Sequence, residues 1–313
     1  MENLDAVQIN FSPDQLLFLN LCLAFLMFGV ALDIQVKDFK LIFQKPRIPI
    51  IGLIAQLLLL PILTLILIYA FQPPPSLALG MVLISVCPGG NVSNFMVHLA
   101  KANAALSVMM TSIVTLGAAF LTPLNFAFWS LFVPNSASYR QIIAVDPVAM
   151  FITIFQLIVI PLALGMYLNK RYPATTDLLR RPVKILSILI FFGFVVAAMI
   201  SNYENILKYV GVVFFIVLIH NTLALALGYY FSRLNGLDTF NARAIAIETG
   251  IQNSGLALIL IFNFFNGLGG MAMIAAWWGI WHLISGFSLA MWWSRQADKQ
   301  WSGRKPATGG ISK

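Results

Sequence analysis

The stretch that decides the fold is Ala244-Ile245-Ala246-Ile247-Glu248-Thr249-Gly250-Ile251-Gln252-Asn253-Ser254-Gly255. It begins as an apolar run, carries one carboxylate, and continues with Thr, Gln, Asn and Ser. A charge at bilayer depth costs on the order of several kcal/mol unless a partner or a cavity satisfies it. Hydroxyl and amide oxygens, with a backbone loosened at Gly250, are what a small hard cation needs. The stretch points to an ion site inside a membrane, and so to a transporter.

Composition agrees. Hydrophobic residues make up 60% of the 313 positions and charged residues 10%, against about 25% charged in a soluble domain. The chain reads as an all-α polytopic membrane protein, a single unit over 1–313 with no room between spans for a soluble domain. Its net charge of +8 does not imply nucleic acid, because the basic residues fall in short loops and form no basic face. Cys22 and Cys87 lie in apolar segments and give neither a disulfide framework nor a metal spacing. Met1-Glu2-Asn3-Leu4-Asp5 has no basic region or cleavage site, so no removable signal peptide is expected.

A bilayer-crossing helix needs about 20 apolar residues. Nine candidate spans result: 14–32, 48–70, 76–100, 104–130, 145–168, 183–201, 206–231, 240–264 and 268–293. Placing the N-terminus outside puts all basic residues but Arg140 and Lys208 in cytoplasmic loops or the tail 294–313, as the positive-inside rule requires. Losing or adding a span scrambles that asymmetry. Trp129, Trp292 and Trp293 fall at span ends, where interfacial anchors sit. Lys101 and Arg243, at inner ends of spans, read as snorkelling to the cytoplasmic surface.

The third and eighth spans are interrupted alike. Cys87-Pro88-Gly89-Gly90-Asn91-Val92-Ser93-Asn94 resembles Glu248-Thr249-Gly250-Ile251-Gln252-Asn253-Ser254. Gly90 aligns with Gly250, and Ser93-Asn94 with Asn253-Ser254. The two lie five spans apart and so cross in opposite directions. This is the pattern of an inverted-repeat transporter, whose paired broken helices meet at the midplane.

Ser107 and Thr111 are four apart and share a helical face. The turn Lys101-Ala102-Asn103 allows that face to fold back on Ser93 and Asn94. Ser93, Asn94, Ser107, Thr111 and Glu248 then form one cation site; back-bonding to helix carbonyls is the other use open to Ser107 and Thr111. Gln56 suits either interhelical hydrogen bonding or a second site with Glu248, Gln252 and the carbonyls of Thr249 and Ile251. His282 suits either a substrate cavity or a satisfied core position. His98 and His220 read as structural. Asp146 reads as interfacial, and Asp33 and Asp38 as solvated.

Taken together, Pro88-Gly89-Gly90-Asn91-Val92-Ser93-Asn94, Leu106-Ser107-Val108 with Thr111, and Glu248-Thr249-Gly250-Ile251-Gln252-Asn253 resemble the bile acid:sodium symporter family, solute carrier family 10 in animals. The resemblance covers about 14–293 and is nearer to bacterial members. It implies a panel domain (14–32 and 145–201) and a core domain (48–130 and 206–293). It implies two Na⁺ ions behind the crossing: one held by Ser93, Asn94, Ser107, Thr111 and Glu248, the other by Gln56, Glu248, Thr249, Ile251 and Gln252. An organic anion would lie between the domains against Gly90, Asn91, Asn253 and His282. Many relatives have Thr-Ala-Ser-Asn where this chain has Asn91-Val92-Ser93-Asn94, so the substrate is the open term. The chain keeps nine spans where bacterial members commonly have a further first one.

The function expected is sodium-coupled uptake of a bile acid-like or small carboxylate anion through the inner (plasma) membrane, by alternating access. The oligomeric state stays open, with a monomer sufficient. Proton coupling through a buried Glu and a non-transporting receptor are the alternatives. An enzyme is not expected, since no motif holds a nucleophile–base pair or a metal-ligand cluster.

Overall fold

The computed structural model describes residues 13–32, 46–90, 92–134, 146–201 and 203–302. Regular structure among them is entirely helical. The elements are α1 (Pro13–Ala31), α2 (Arg47–Phe71), α3 (Pro75–Val86), α4 (Val92–Leu99), α5 (Ala104–Ser130), α6 (Pro147–Arg171), α7 (Pro173–Ser201), α8 (Tyr203–Leu234), α9 (Thr239–Gly250), α10 (Ser254–Phe264) and α11 (Gly269–Ser302).

Where described, the apolar stretches of the sequence are mostly helical, apart from the breaks at 87–90 and 251–253. Five described helical segments are long and apolar enough to cross a membrane: Arg47–Phe71, Ala104–Ser130, Pro147–Arg171, Tyr209–Leu234 and Gly269–Gln296. Pro75–Val86 and Ser254–Phe264 are shorter because each is half of a broken pair. α7 starts at Pro173, well before its apolar part, because a polar first turn extends it. There Arg180 pairs with Asp177 at 3.1 Å and donates to the Leu32 carbonyl at 3.1 Å.

Helix starts follow local chemistry. Asp146, Asn103, Asp238 and Asn253 cap α6, α5, α9 and α10, their side-chain oxygens accepting from Val148, Leu106, Asn241 and Leu256 backbone N–H groups at 2.8–3.1 Å. Such caps satisfy donors that the first turn leaves orphaned. Two helices carry a π turn, Ala55–Leu59 in α2 and Phe155–Val159 in α6. In each a proline follows, Pro61 and Pro161. A proline has no N–H and its ring crowds the carbonyl four residues back, so the helix widens by one residue ahead of it.

Two apolar clusters lie on either side of the breaks. One gathers Leu77, Met81 and Ile84 of α3 with Leu256 and Ile259 of α10 and Trp278 of α11. The other gathers Met96 and Val97 of α4 with Ile245 and Ile247 of α9, Met110 of α5 and Trp293 of α11. The halves therefore exchange partners at the crossing: α3 packs with α10, and α4 with α9. Lipid tails are as apolar as these side chains, so close backbone approach carries much of the packing. At Gly80 an added Cβ would sit 2.8 Å from the Met271 Cα, so α3 and α11 touch nearly backbone to backbone. α1 lies along α6 and α7.

Candidate functional site

The two breaks meet where the clusters part. Gly89 and Gln252 form an antiparallel bridge. Gly90 N–H donates to the Ile251 carbonyl at 2.9 Å, and Asn253 N–H to the Pro88 carbonyl at 2.8 Å. Each break thus satisfies backbone groups that the other's helices no longer can. The alignment of Gly90 with Gly250 concerns equivalent positions in the two broken spans; the residues that face each other in space are Gly89 and Gln252. Gly250 is still helical, and its glycine serves packing: a Cβ there would lie 2.4 Å from Leu225 Cδ2.

Glu248 is fully buried, the one buried carboxylate among the described residues. Three hydroxyls converge on it. Ser93 Oγ donates to Oε1 at 2.5 Å, Ser107 Oγ also contacts Oε1, and Thr111 Oγ1 donates to Oε2 at 2.8 Å. Asn94 Oδ1 stands 2.8 Å from Ser107 Oγ and 3.3 Å from Thr111 Oγ1, and Ser93 Oγ is 3.5 Å from Thr111 Oγ1. Each hydroxyl has one proton to give. Three protons cannot serve these six oxygen–oxygen contacts, so lone pairs face one another. A hard cation among such oxygens relieves that repulsion, and five oxygen-bearing side chains from α4, α5 and α9 fit one.

The other side of the carboxylate has the complementary defect. Gln56 Nε2 and Oε1 and Gln252 Oε1 are buried without partners. A Cβ on Gly89 would lie 3.0 Å from Glu248 Oε2, 3.3 Å from Gln56 Nε2 and 3.7 Å from the Ile251 carbonyl. These groups therefore surround one small space that only glycine at 89 leaves open. Rotating the Gln56 amide presents its oxygen to the same space. The Thr249 carbonyl accepts from Gln252 Nε2 at 2.8 Å. It and the Ile251 carbonyl each keep a second lone pair. Orphaned buried amides cost stability unless something binds them, so this set too fits a cation.

Of the residues expected to line a substrate site, Asn91 lies outside the described residues. Gly90 sits at the crossing. Asn253 is buried and spends its Oδ1 on capping α10. His282 is 6% exposed, and its Nδ1 has no partner. His220 is structural, bonded to Thr64 Oγ1 at 2.8 Å and edge-on to Trp278.

Two expectations are corrected. Arg243 does not reach for the surface: it is 7% exposed, stacks on Trp293 at 5.5 Å and donates to Gln296 Oε1 at 3.0 Å. Trp129 and Trp293 are buried, leaving Trp292 as the exposed one of the three.

Sequence reasoning placed Gly89 in the first break without giving it a role at the site, and it missed two side chains that hold the breaks. Thr122 of α5 donates to the Val86 carbonyl at 3.1 Å, and Asn221 of α8 donates to the Gly250 carbonyl at 2.7 Å. Val86 and Gly250 are the last helical residues before each break. Only the polarity of Thr122 and Asn221 within apolar runs could have marked them.

The chain matches the model of the Sodium Bile acid symporter family over residues 20–209. It is 33% identical over 288 residues to an "Uncharacterized sodium-dependent transporter YocS" of Bacillus subtilis (strain 168), covering 92% of this chain and 86% of that one. It is 30% identical over 274 residues to a "Probable sodium/metabolite cotransporter BASS2, chloroplastic" of Oryza sativa subsp. japonica, covering 87% of this chain and 62% of that one. A "P3 protein" of Mus musculus is 29% identical over 258 residues, of which the match spans 52%. The chain spans under two thirds of the rice and mouse relatives. It belongs to the sodium bile acid symporter family, whose members are sodium-dependent membrane transporters and not enzymes.

Proposed function

We propose that this chain carries out sodium-coupled symport of an organic anion into the cytoplasm. The observation that carries the reading is the crowded oxygen cluster on one face of Glu248 and the orphaned amides on the other. Two Na⁺ ions would occupy these faces. One would be held by Ser93, Asn94, Ser107, Thr111 and Glu248, the other by Gln56, Glu248, Gln252 and the carbonyls of Thr249 and Ile251.

Charge then selects the substrate. Two cations against one carboxylate leave a net +1 in a medium of low dielectric, where an adjacent anion is strongly favoured. Gly90, Asn91, Asn253 and His282 would receive it. The substrate class is an organic acid, either bile acid-like or a small carboxylate. The relatives named as sodium/metabolite cotransporters favour the small acids.

Nine spans with the N-terminus outside, a plasma-membrane location, and alternating access of a core (48–130, 206–293) against a panel (14–32, 145–201) complete the reading. The packing of α1 along α6 and α7 supports the panel, and the mutual pairing of the two breaks supports a rigid core. Coupling requires that Na⁺ favour the substrate-competent state over the others. Proteoliposomes given an inward Na⁺ gradient should accumulate an acid from a panel of bile acids, pantoate and 2-oxo acids, while an equal K⁺ gradient should not. Equal uptake under both gradients, or uptake following a proton gradient alone, would overturn the reading.

A further inference from the structure

We infer that Asn221 is a positioning residue for the second cation site and ties that site to α11. The inference rests on the cation reading above. In an unbroken helix the Gly250 carbonyl would accept from Ser254 N–H, but Ser254 N–H turns to the Gln252 carbonyl at 3.0 Å. The Gly250 carbonyl is left orphaned beside two carbonyls assigned to the cation, Thr249 and Ile251. Asn221 Nδ2 takes it at 2.7 Å. Because a carbonyl only accepts, the Asn221 amide is fixed with its nitrogen toward Gly250. Its oxygen must then face away, and there Ser285 Oγ of α11 donates to it at 2.6 Å. Ser285 is three residues beyond His282, on the helix that would face substrate.

The remainder of the α8 face makes this a rigid linkage. Asn221, Leu225 and Gly228 share one side of α8. Leu225 fills the space beside Gly250, and a Cβ on Gly228 would lie 2.8 Å from both the Ala246 Cα and Thr249 Oγ1. Asn221 itself is fully buried. With α8 held this close, the Asn221 amide decides which carbonyl of the break turns aside and which two remain. Removing it frees the Gly250 carbonyl to enter the cluster and loosens its neighbours. Partners one shell out from a bound metal are typically worth about 10–100-fold in affinity.

The test is melting of the purified protein in detergent, titrated with NaCl and separately with LiCl at constant ionic strength, choline replacing the balance. Asn221→Ala should raise the half-maximal Na⁺ concentration about tenfold and change the Li⁺ to Na⁺ preference. Ser285→Ala, which removes a single side-chain oxygen and leaves the Asn221–Gly250 bond in place, should shift the midpoint in the same direction by a smaller factor. A merely structural role would lower the melting temperature in choline and leave both Na⁺ midpoints and the ion preference at the wild-type values. That result, with the wild-type protein still stabilised by Na⁺, would overturn the role of Asn221 and spare the cation site. No Na⁺-specific stabilisation of the wild-type protein would remove both.

Discussion

Gln56-Leu57-Leu58-Leu59-Leu60-Pro61 and Gln156-Leu157-Ile158-Val159-Ile160-Pro161 share Gln, Leu and Pro at matching positions with aliphatic residues between, and each begins in a π turn ahead of its proline. Their glutamines end up in opposite places. Gln56 is 1% exposed, beside Glu248 with both amide ends unpartnered; Gln156 lies on the exposed face of α6. Local sequence therefore sets the backbone widening, and tertiary placement decides whether it makes a site. What distinguishes α2 is the crossing it packs against, where a carboxylate, two broken helices and Gly89 leave room for the amide.

Removing Glu248 erases the difference between the two glutamines, and this is the largest effect expected. Glu248→Gln should lose all Na⁺-specific stabilisation, which amounts to about 2.7 kcal/mol for each occupied site at a Na⁺ concentration near 100 times Kd. Melting in NaCl against choline chloride measures it. Retained stabilisation in the variant would put the ion elsewhere.

Gln56→Leu comes next and has two effects of opposite sign. An unsatisfied buried polar group costs about 1–3 kcal/mol, so the variant should melt higher than the native protein in choline. It should also lose the second Na⁺, so that Na⁺ stabilisation becomes shallower in its concentration dependence. A variant that melts lower in choline and keeps the native Na⁺ response would mean that Gln56 is interhelical glue.

Thr122→Val probes the first break. The Val86 carbonyl would be orphaned, lowering stability by about 1–3 kcal/mol, read as a lower urea midpoint or melting temperature. The Na⁺ midpoint should not move, because the first break offers its side chains and not its carbonyls. A shifted Na⁺ midpoint would mean that the breaks share their functions more evenly.

Gln156→Leu is the smallest. Surface changes of this kind stay within about 0.5 kcal/mol, and Na⁺ response and melting should match the native protein. A changed Na⁺ response would break the contrast between the two hexapeptides.

The sequence made the helical class, both breaks and the oxygen-rich cluster legible, because those rest on local signals. Apolar run length marks spans, Gly-Gly and polar residues mark breaks, and spacing of four puts Ser107 and Thr111 on one face. The Thr and Ser side chains do meet Glu248. What was not legible depends on distant partners. Thr122 and Asn221 find carbonyls 36 and 29 residues away, and nothing near either residue encodes that meeting. Arg243 looked like a snorkelling cation because its local sequence ends a span; its aromatic partner lies 50 residues on. Which residues of the two breaks face each other was not legible either, because a repeat match gives equivalent positions and not contacts, whereas the backbone pairs whichever N–H and carbonyl groups the helix ends leave free.

The central claim is that Glu248 holds the coupling ions at the crossing. Equilibrium binding of radioactive sodium to purified native protein and to Glu248→Ala, in detergent without substrate, tests it most directly. The expected result is saturable binding approaching two ions per native chain, competed by unlabelled Na⁺ and not by K⁺, and no saturable binding by the variant. Native-level binding to Glu248→Ala, or no saturable binding by the native protein, would contradict it.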